Sequence, residues 1–217
     1  MKKWLFLVLM IILVKHWFFS ASPAEYVALN SSTCPLPPQL AGNILDAPKQ
    51  TDVPSDVKTM RFQKAKANVT PKAGYALSAK VLSTHQSSWG RESDFSPVDW
   101  ALGWQKMTDK KALQYINISQ RGRFYHWRVK AENVPKLPIS VQEIIQMSSN
   151  THLIPANKSV WYQMKKVKKG EHVKIAGWLV NVDWDDGGYW HTSLSRNDTG
   201  AGACEIVLVC QVEKINP

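Results

Sequence analysis

Three cysteines stand in the 217-residue chain, at positions 34, 204 and 210. Cys204 and Cys210 lie six residues apart on what reads as one strand. About 20 Å of extended backbone separates them, so they cannot bridge to one another. The even offset puts both on one face. Cys34 could reach either in an oxidising compartment, leaving one thiol free or paired between chains. Cys204 then has three readings: a small buried hydrophobe, a disulfide partner or a nucleophile. A nucleophile needs a base within hydrogen-bond reach and a third group to orient that base. His152 and His191 are the candidate bases for Cys204 or Ser193, with Asp198 or Glu205 as orienter. The candidate catalytic set is Cys204, His152 and Ser193.

Most of this chemistry falls within residues 192–205, where Ser193, Arg196, Asp198, Cys204 and Glu205 gather around Gly200 and Gly202. Glycines there permit close approach of backbone. The leading expectation is a binding loop for an anionic ligand or a protein partner. Arg196 would hold the anion, and the Gly200 and Gly202 amides would add donors. Asp198, Glu205 and His191 complete that set. A hydrolase using Cys204 or Ser193 with His152 is the alternative.

The same stretch, together with Ser96-Pro97-Val98-Asp99, Ala101-Leu102-Gly103-Trp104 and Asn150-Thr151-His152-Leu153-Ile154-Pro155-Ala156, resembles a widespread family of uncharacterised bacterial proteins. The resemblance covers roughly residues 70–210. Members carry a hydrophobic N-terminus and end in a Ser-Ser-x-x-Arg-x-Asp-Thr-Gly-x-Gly-x-Cys-Glu pattern, in which this chain has Thr192 for the first serine. The resemblance implies a shared architecture and brings no reaction with it.

Other chemistries fit less well. Asp183-Trp184-Asp185-Asp186-Gly187 imitates the start of a calcium loop, but position twelve is Leu194 instead of glutamate. The histidines at 126, 152, 172 and 191 show no zinc-site spacing, so neither a metal nor another cofactor is expected. Residues 167–180 are similar to the turn and strand of small OB-like and thermonuclease-like barrels, which can bind polyanions on aromatic and basic faces. Trp178, Trp184, Trp190 and Lys174 could contribute to such a face. Thermonuclease chemistry wants clustered acids and paired arginines, and Arg196 is the only arginine in the final third. Nucleic acid is therefore a disfavoured partner.

Composition narrows the class. A 44% hydrophobic share with 10% aromatics excludes a wholly disordered chain. Twelve prolines without a Gly-X-Y period exclude collagen, and three cysteines are too few for a disulfide-dense miniprotein. The formal charge of +10 favours anionic surfaces, although its basic residues are scattered. Lys2 and Lys3 precede an apolar run over residues 4–14, followed by Lys15 and the small residues Ser20-Ala21-Ser22. That is the grammar of a secretory signal or a retained membrane anchor. Eleven helical residues rise only ~16 Å, half a bilayer core. Export to the periplasmic side of the inner membrane, anchored or secreted, is expected.

Residues 1–22 thus read as signal peptide or anchor, 23–59 as a Pro-rich linker, and 60–217 as one globular domain. Tyr75, Leu77, Ala79 and Val81 alternate like a half-buried strand. With Thr70-Pro71-Lys72-Ala73-Gly74 as a turn, 61–69 and 75–83 form a strand pair. Residues 96–104 lack a clean period and read as a Pro-started helical turn, with 110–115 another. An extended aromatic segment follows from 124. Ser140 and Glu143 fit a capping box opening a helix to about 147, and a second short helix lies near 158–167. Strands over 171–182 and 189–195 join through Asp185-Asp186-Gly187-Gly188, and 203–213 is the strongest strand of all. The expected class is α+β: β-rich, with a curved antiparallel sheet or small barrel and a few short helices.

Overall fold

One strand organises the sheet. In the computed structural model, which describes residues 34–63, 65–87, 89–195 and 202–216, β3 runs unbroken for 20 residues over Ala67–Gln86. The expected leader over 1–22 lies outside the described residues, as do Arg196, Asp198 and Gly200. Thr70 to Gly74 is not a turn. The strand passes straight through it, paired antiparallel to β8 (His172–Trp184) on both sides of Pro71. The extra residue between Pro71 and Ala73 is taken up as a bulge, a place where a proline's missing N–H is tolerated. The bulge also reverses the pleat. Val69 faces one core cluster, whereas Ala73, Tyr75, Leu77, Ala79 and Val81 face another.

On its other side β3 pairs with β1 (Lys49–Thr51), β2 (Met60–Phe62) and β4 (Val98–Gly103). From β4 the pairings continue to β7 (Ser148–Pro155), then β10 (Glu205–Ile215), then β8, which returns to β3. A short β9 (Tyr189–His191) edges β8. The result is the expected α+β, sheet-dominated class, in a strongly curled sheet. Every pair among the described strands is antiparallel except β7–β10, which is parallel. β8 and β10 approach so closely that a Cβ on Gly177 would lie 1.9 Å from the Leu208 carbonyl oxygen.

The expected helical turn at 96–104 is instead the strand β4. All six of its residues are buried: Val98, Trp100 and Leu102 turn to the larger cluster, while Asp99 and Ala101 turn to the opposite face. A strand covered on both faces loses the apolar–polar alternation that betrays strands in sequence. β7, with eight buried residues, hides for the same reason. The larger cluster draws side chains from β3, β4, β7, β8 and β10 and is capped by Val160 and Met164 of a helix over Lys158–Met164.

Among the described residues three short α-helices decorate the sheet: α1 (Lys110–Leu113), α2 (Val141–Gln146) and α3, the Lys158–Met164 helix. The Ser140–Glu143 capping box opens α2 as its sequence predicts. A separate hairpin of β5 (Ile116–Arg121) and β6 (Phe124–Val129) packs over Leu82, Ala101 and Met107 through Ile118, Tyr125 and Trp127.

From Cys34 onward the Pro-rich stretch is laid against the sheet. Cys34 is bonded to Cys210 with their Cα atoms 5.5 Å apart, which leaves Cys204 as the free thiol. The Ala41 carbonyl accepts from the buried Ser78 hydroxyl at 3.0 Å, and β1 lies along β3. The disulfide joins positions 176 residues apart, so opening it releases a long loop in the unfolded chain. Reduction, or Cys34→Ser, is expected to lower stability by roughly 2–5 kcal/mol in urea unfolding followed by tryptophan fluorescence.

Candidate active site

Strand register gathers the polar residues of the outer face. Asp99 on β4 stands opposite His152 on β7, and His152 stands opposite Ile206 on β10. Cys204 precedes Ile206 by two residues, so alternation returns it to the His152 side. Asn150, two residues before His152, shares that side. Three neighbouring strands therefore deliver a carboxylate, an imidazole and a thiol in a row.

The contacts are close. His152 Nδ1 lies 2.9 Å from Asp99 Oδ1, and the ring and the Cys204 thiol are near enough for each to shift the pKa of the other. The Asn150 amide Nδ2 donates to Cys204 Sγ at 3.4 Å. Asp99 also accepts from Arg123 Nη1 at 2.9 Å and, at 3.4 Å, from the Ser96 hydroxyl. Arg123 comes from the tip of the β5–β6 hairpin, where Gly122 and Arg123 both have positive φ, 55° and 66°. Two such residues in succession make the tight turn that suits a twisted hairpin. Its Nη2 donates to the Ser96 carbonyl at 2.6 Å. Trp190 packs on the imidazole with ring centroids 4.9 Å apart, and the Arg123 guanidinium sits 5.5 Å from the Trp190 ring.

Burial makes these contacts consequential. The Asp99 side chain is fully enclosed, and those of His152 and Arg123 are only 5% and 16% exposed. Enclosure by itself pushes the His152 pKa down, but its bonds to Asp99 and Cys204, and their negative charges, outweigh this and raise it to about 9. Burial pushes the Cys204 thiol up. The bond and positive charge of His152, helped by Asn150, overcome that and hold it below the ordinary thiol range, against a smaller opposing push from Asp99. The arrangement favours an imidazolium–thiolate pair at a half-buried sulfur.

The sequence-derived candidates fare differently. Cys204 and His152 are brought together. Ser193 is not offered to the imidazole by any described contact. Its hydroxyl donates to the Ser195 carbonyl and accepts from the Ser195 N–H, and its own N–H donates to the Cys204 carbonyl at 3.0 Å. His191 is exposed on β9 and pairs with Asp183 at 2.8 Å. Glu205 is buried, but alternation turns it away from the Cys204 face. The carboxylate bonded to the imidazole is Asp99, which the sequence reading did not name; of the two acids it did name, Asp198 lies outside the described residues. Gly202 adopts φ 101° on the approach to Cys204, a conformation suited to glycine.

Sequence reasoning gave Asp99, Arg123, Asn150 and Trp190 no role beside His152 and Cys204, although Trp190 was weighed for a polyanion-binding face and Asp99 and Asn150 fall in the stretches that carry the family resemblance. Asp99 carried a usable signal: an acid inside a short, otherwise apolar run, where a buried carboxylate demands partners. Among the described residues no group of three His, Cys, Asp or Glu is arranged to hold a metal ion. No protein family, no curated protein and no solved structure matches the chain.

His152 keeps a proton well above the ordinary imidazole value of 6.5. Because the folded value is raised, the stabilisation from charging His152 is complete below pH 6.5 and is lost as pH climbs through about 9. NMR titration of the ring, assigned by difference from His152→Gln, should show a midpoint near 9. In Asp99→Asn, with burial less opposed, the midpoint should fall.

Proposed function

We propose that the protein is a thiol-dependent acyl-transfer enzyme, most simply a hydrolase of an ester, amide or thioester. The observation that carries this reading is the 2.9 Å Asp99–His152 bond, with the same imidazole coupled electrostatically to a free, half-buried thiol. A nucleophile, its base and the base's orienter are the three parts that covalent catalysis requires. In the proposed reaction, the Cys204 thiolate adds to the substrate carbonyl carbon. His152 then gives its proton to the departing amine, alcohol or thiol, leaving an acyl-thioester on Cys204. Neutral His152 next takes a proton from water, whose oxygen attacks the thioester, and the acid departs as the thiolate re-forms. Asp99 holds the imidazole by Nδ1 throughout and stabilises its positive charge.

Residues 196–202 immediately precede the nucleophile in sequence, and we assign Arg196 to an anionic group of the substrate. This keeps the anion-binding role read from the sequence and places it in the service of catalysis. The finer fold reading that accompanies it is an OB-like barrel. Taking β3, β4, β7, β8 and β10 as first to fifth, the pairing order is first, second, third, fifth, fourth and back to the first, with α3 between third and fourth. Residues 167–180 resemble the corresponding part of such barrels.

Iodoacetamide tests the chemistry directly, since the disulfide-bonded protein has one free thiol. Alkylation should place one adduct on Cys204, with a pH midpoint below the ~8.5 of an ordinary thiol, and His152→Ala should return it to that range. Against a panel of chromogenic esters, amides and thioesters, Cys204→Ala should abolish turnover. His152→Ala should slow it by roughly 10²–10⁴-fold, and Ser193→Ala should leave it unchanged. Ordinary thiol reactivity, or turnover surviving in Cys204→Ala, would overturn the assignment.

We also propose that the domain works outside the cytosol. Support comes from the basic-then-apolar start of the sequence and from the Cys34–Cys210 bond, a linkage that persists in oxidising compartments. A periplasm-dependent phosphatase fused after Pro217 should be active, and a full-length fusion without phosphatase activity would refute export.

A further inference from the structure

We infer that Arg123 is a positioning residue that holds Cys204 in its reactive form, balancing the Asp99 charge with its guanidinium and anchoring Asn150 with its carbonyl. This rests on the acyl-transfer reading of the same site and adds a fourth residue to it, supplied by the β5–β6 hairpin.

Charge counting gives the first reason. A thiolate, an imidazolium and a carboxylate carry a net negative charge, and an enclosed site penalises unbalanced charge heavily. Arg123 Nη1, 2.9 Å from Asp99 Oδ1, makes the row alternate thiolate, imidazolium, carboxylate, guanidinium, with no net charge. Without the guanidinium, the cheapest way to relieve the excess is to protonate the sulfur.

The second reason is the other end of the same residue. The Arg123 carbonyl accepts from Asn150 Nδ2 at 2.7 Å, and that nitrogen also donates to Cys204 Sγ at 3.4 Å. Gln120, on the same hairpin, donates to Asn150 Oδ1 at 2.9 Å, so the amide's orientation is set from both sides. The hairpin tip thus touches the site at Asp99 and at Asn150, the two groups flanking the imidazole–thiol pair. Trp190 lies against both the Arg123 guanidinium and the His152 ring and limits water at the pair. The charged groups described on the thiol's face are then His152 from β7, Asp99 from β4 and Arg123 from the hairpin.

The experiment follows the pH profile of Cys204 alkylation by iodoacetamide in the full-length, disulfide-bonded protein, with thermal unfolding recorded for each variant. Arg123→Gln should raise the midpoint by about one unit and slow alkylation about tenfold at pH 6.5. Arg123→Met keeps an apolar stem over Trp190 and serves the same purpose should the amide variant unfold. Arg123→Lys restores a charge without the two-pronged grip, and its midpoint should fall between those of Gln and the parent. A purely structural role would lower the melting temperature and leave the midpoint where it was. A depressed, His152-dependent parent profile that Arg123→Gln and Arg123→Met do not move overturns this inference alone. A parent thiol with an ordinary, His152-independent profile overturns the acyl-transfer reading with it.

Discussion

The structure around the candidate site depends on one buried carboxylate. Asp99 is fully enclosed between β3 and β7, on a strand whose other residues are also buried. Removing a carboxylate from water costs several kcal/mol even after the protein relaxes, unless cations and donors replace the lost hydration. His152, Arg123 and Ser96 all converge on its Oδ1. Each partner comes from a different part of the chain. Satisfying one charge therefore constrains the β4–β7 register, the placement of a distant hairpin tip and the loop entering β4.

That constraint passes to the sulfur. An imidazole anchored through Nδ1 to a carboxylate has one orientation. The parallel pairing of β7 with β10 brings Cys204 near the same ring. The raised His152 and lowered Cys204 values are two views of the same coupling, because each charged partner stabilises the other.

What the sequence made legible was local. The α2 capping box, the Asp185-Asp186-Gly187-Gly188 turn and the terminal strand each depend on residues a few positions apart, and each is present in the structure. β4 and β7 were illegible as strands because burial on both faces erases the alternation from which strands are read. The long β3 was misread at Pro71 because a bulge and a turn use the same residue types. His152 and Cys204 could be named by type, since few residues make a nucleophile and a base. Their orienter could not, because Asp99 lies 53 positions from His152 and only the β4–β7 register brings them together. Arg123 reaches the site through a hairpin fold-back that no pattern near either residue announces.

The same geometry explains why β10 is held so firmly. It is paired on both edges, parallel to β7 and antiparallel to β8. Gly177 admits the Leu208 carbonyl where any side chain would collide, and Cys210 is tied to Cys34. At its start, the Thr192 hydroxyl accepts from the Ile206 N–H at 3.0 Å, and the Ser193 N–H donates to the Cys204 carbonyl. A slip of one residue would turn Cys204 to the opposite face and bring Glu205 against His152. The thiol would be replaced by a carboxylate, and the imidazole would sit between two acids. Clamps along the whole length of this strand therefore fix the position of a single atom at its beginning, the Cys204 Sγ that accepts from Asn150 beside the His152 ring.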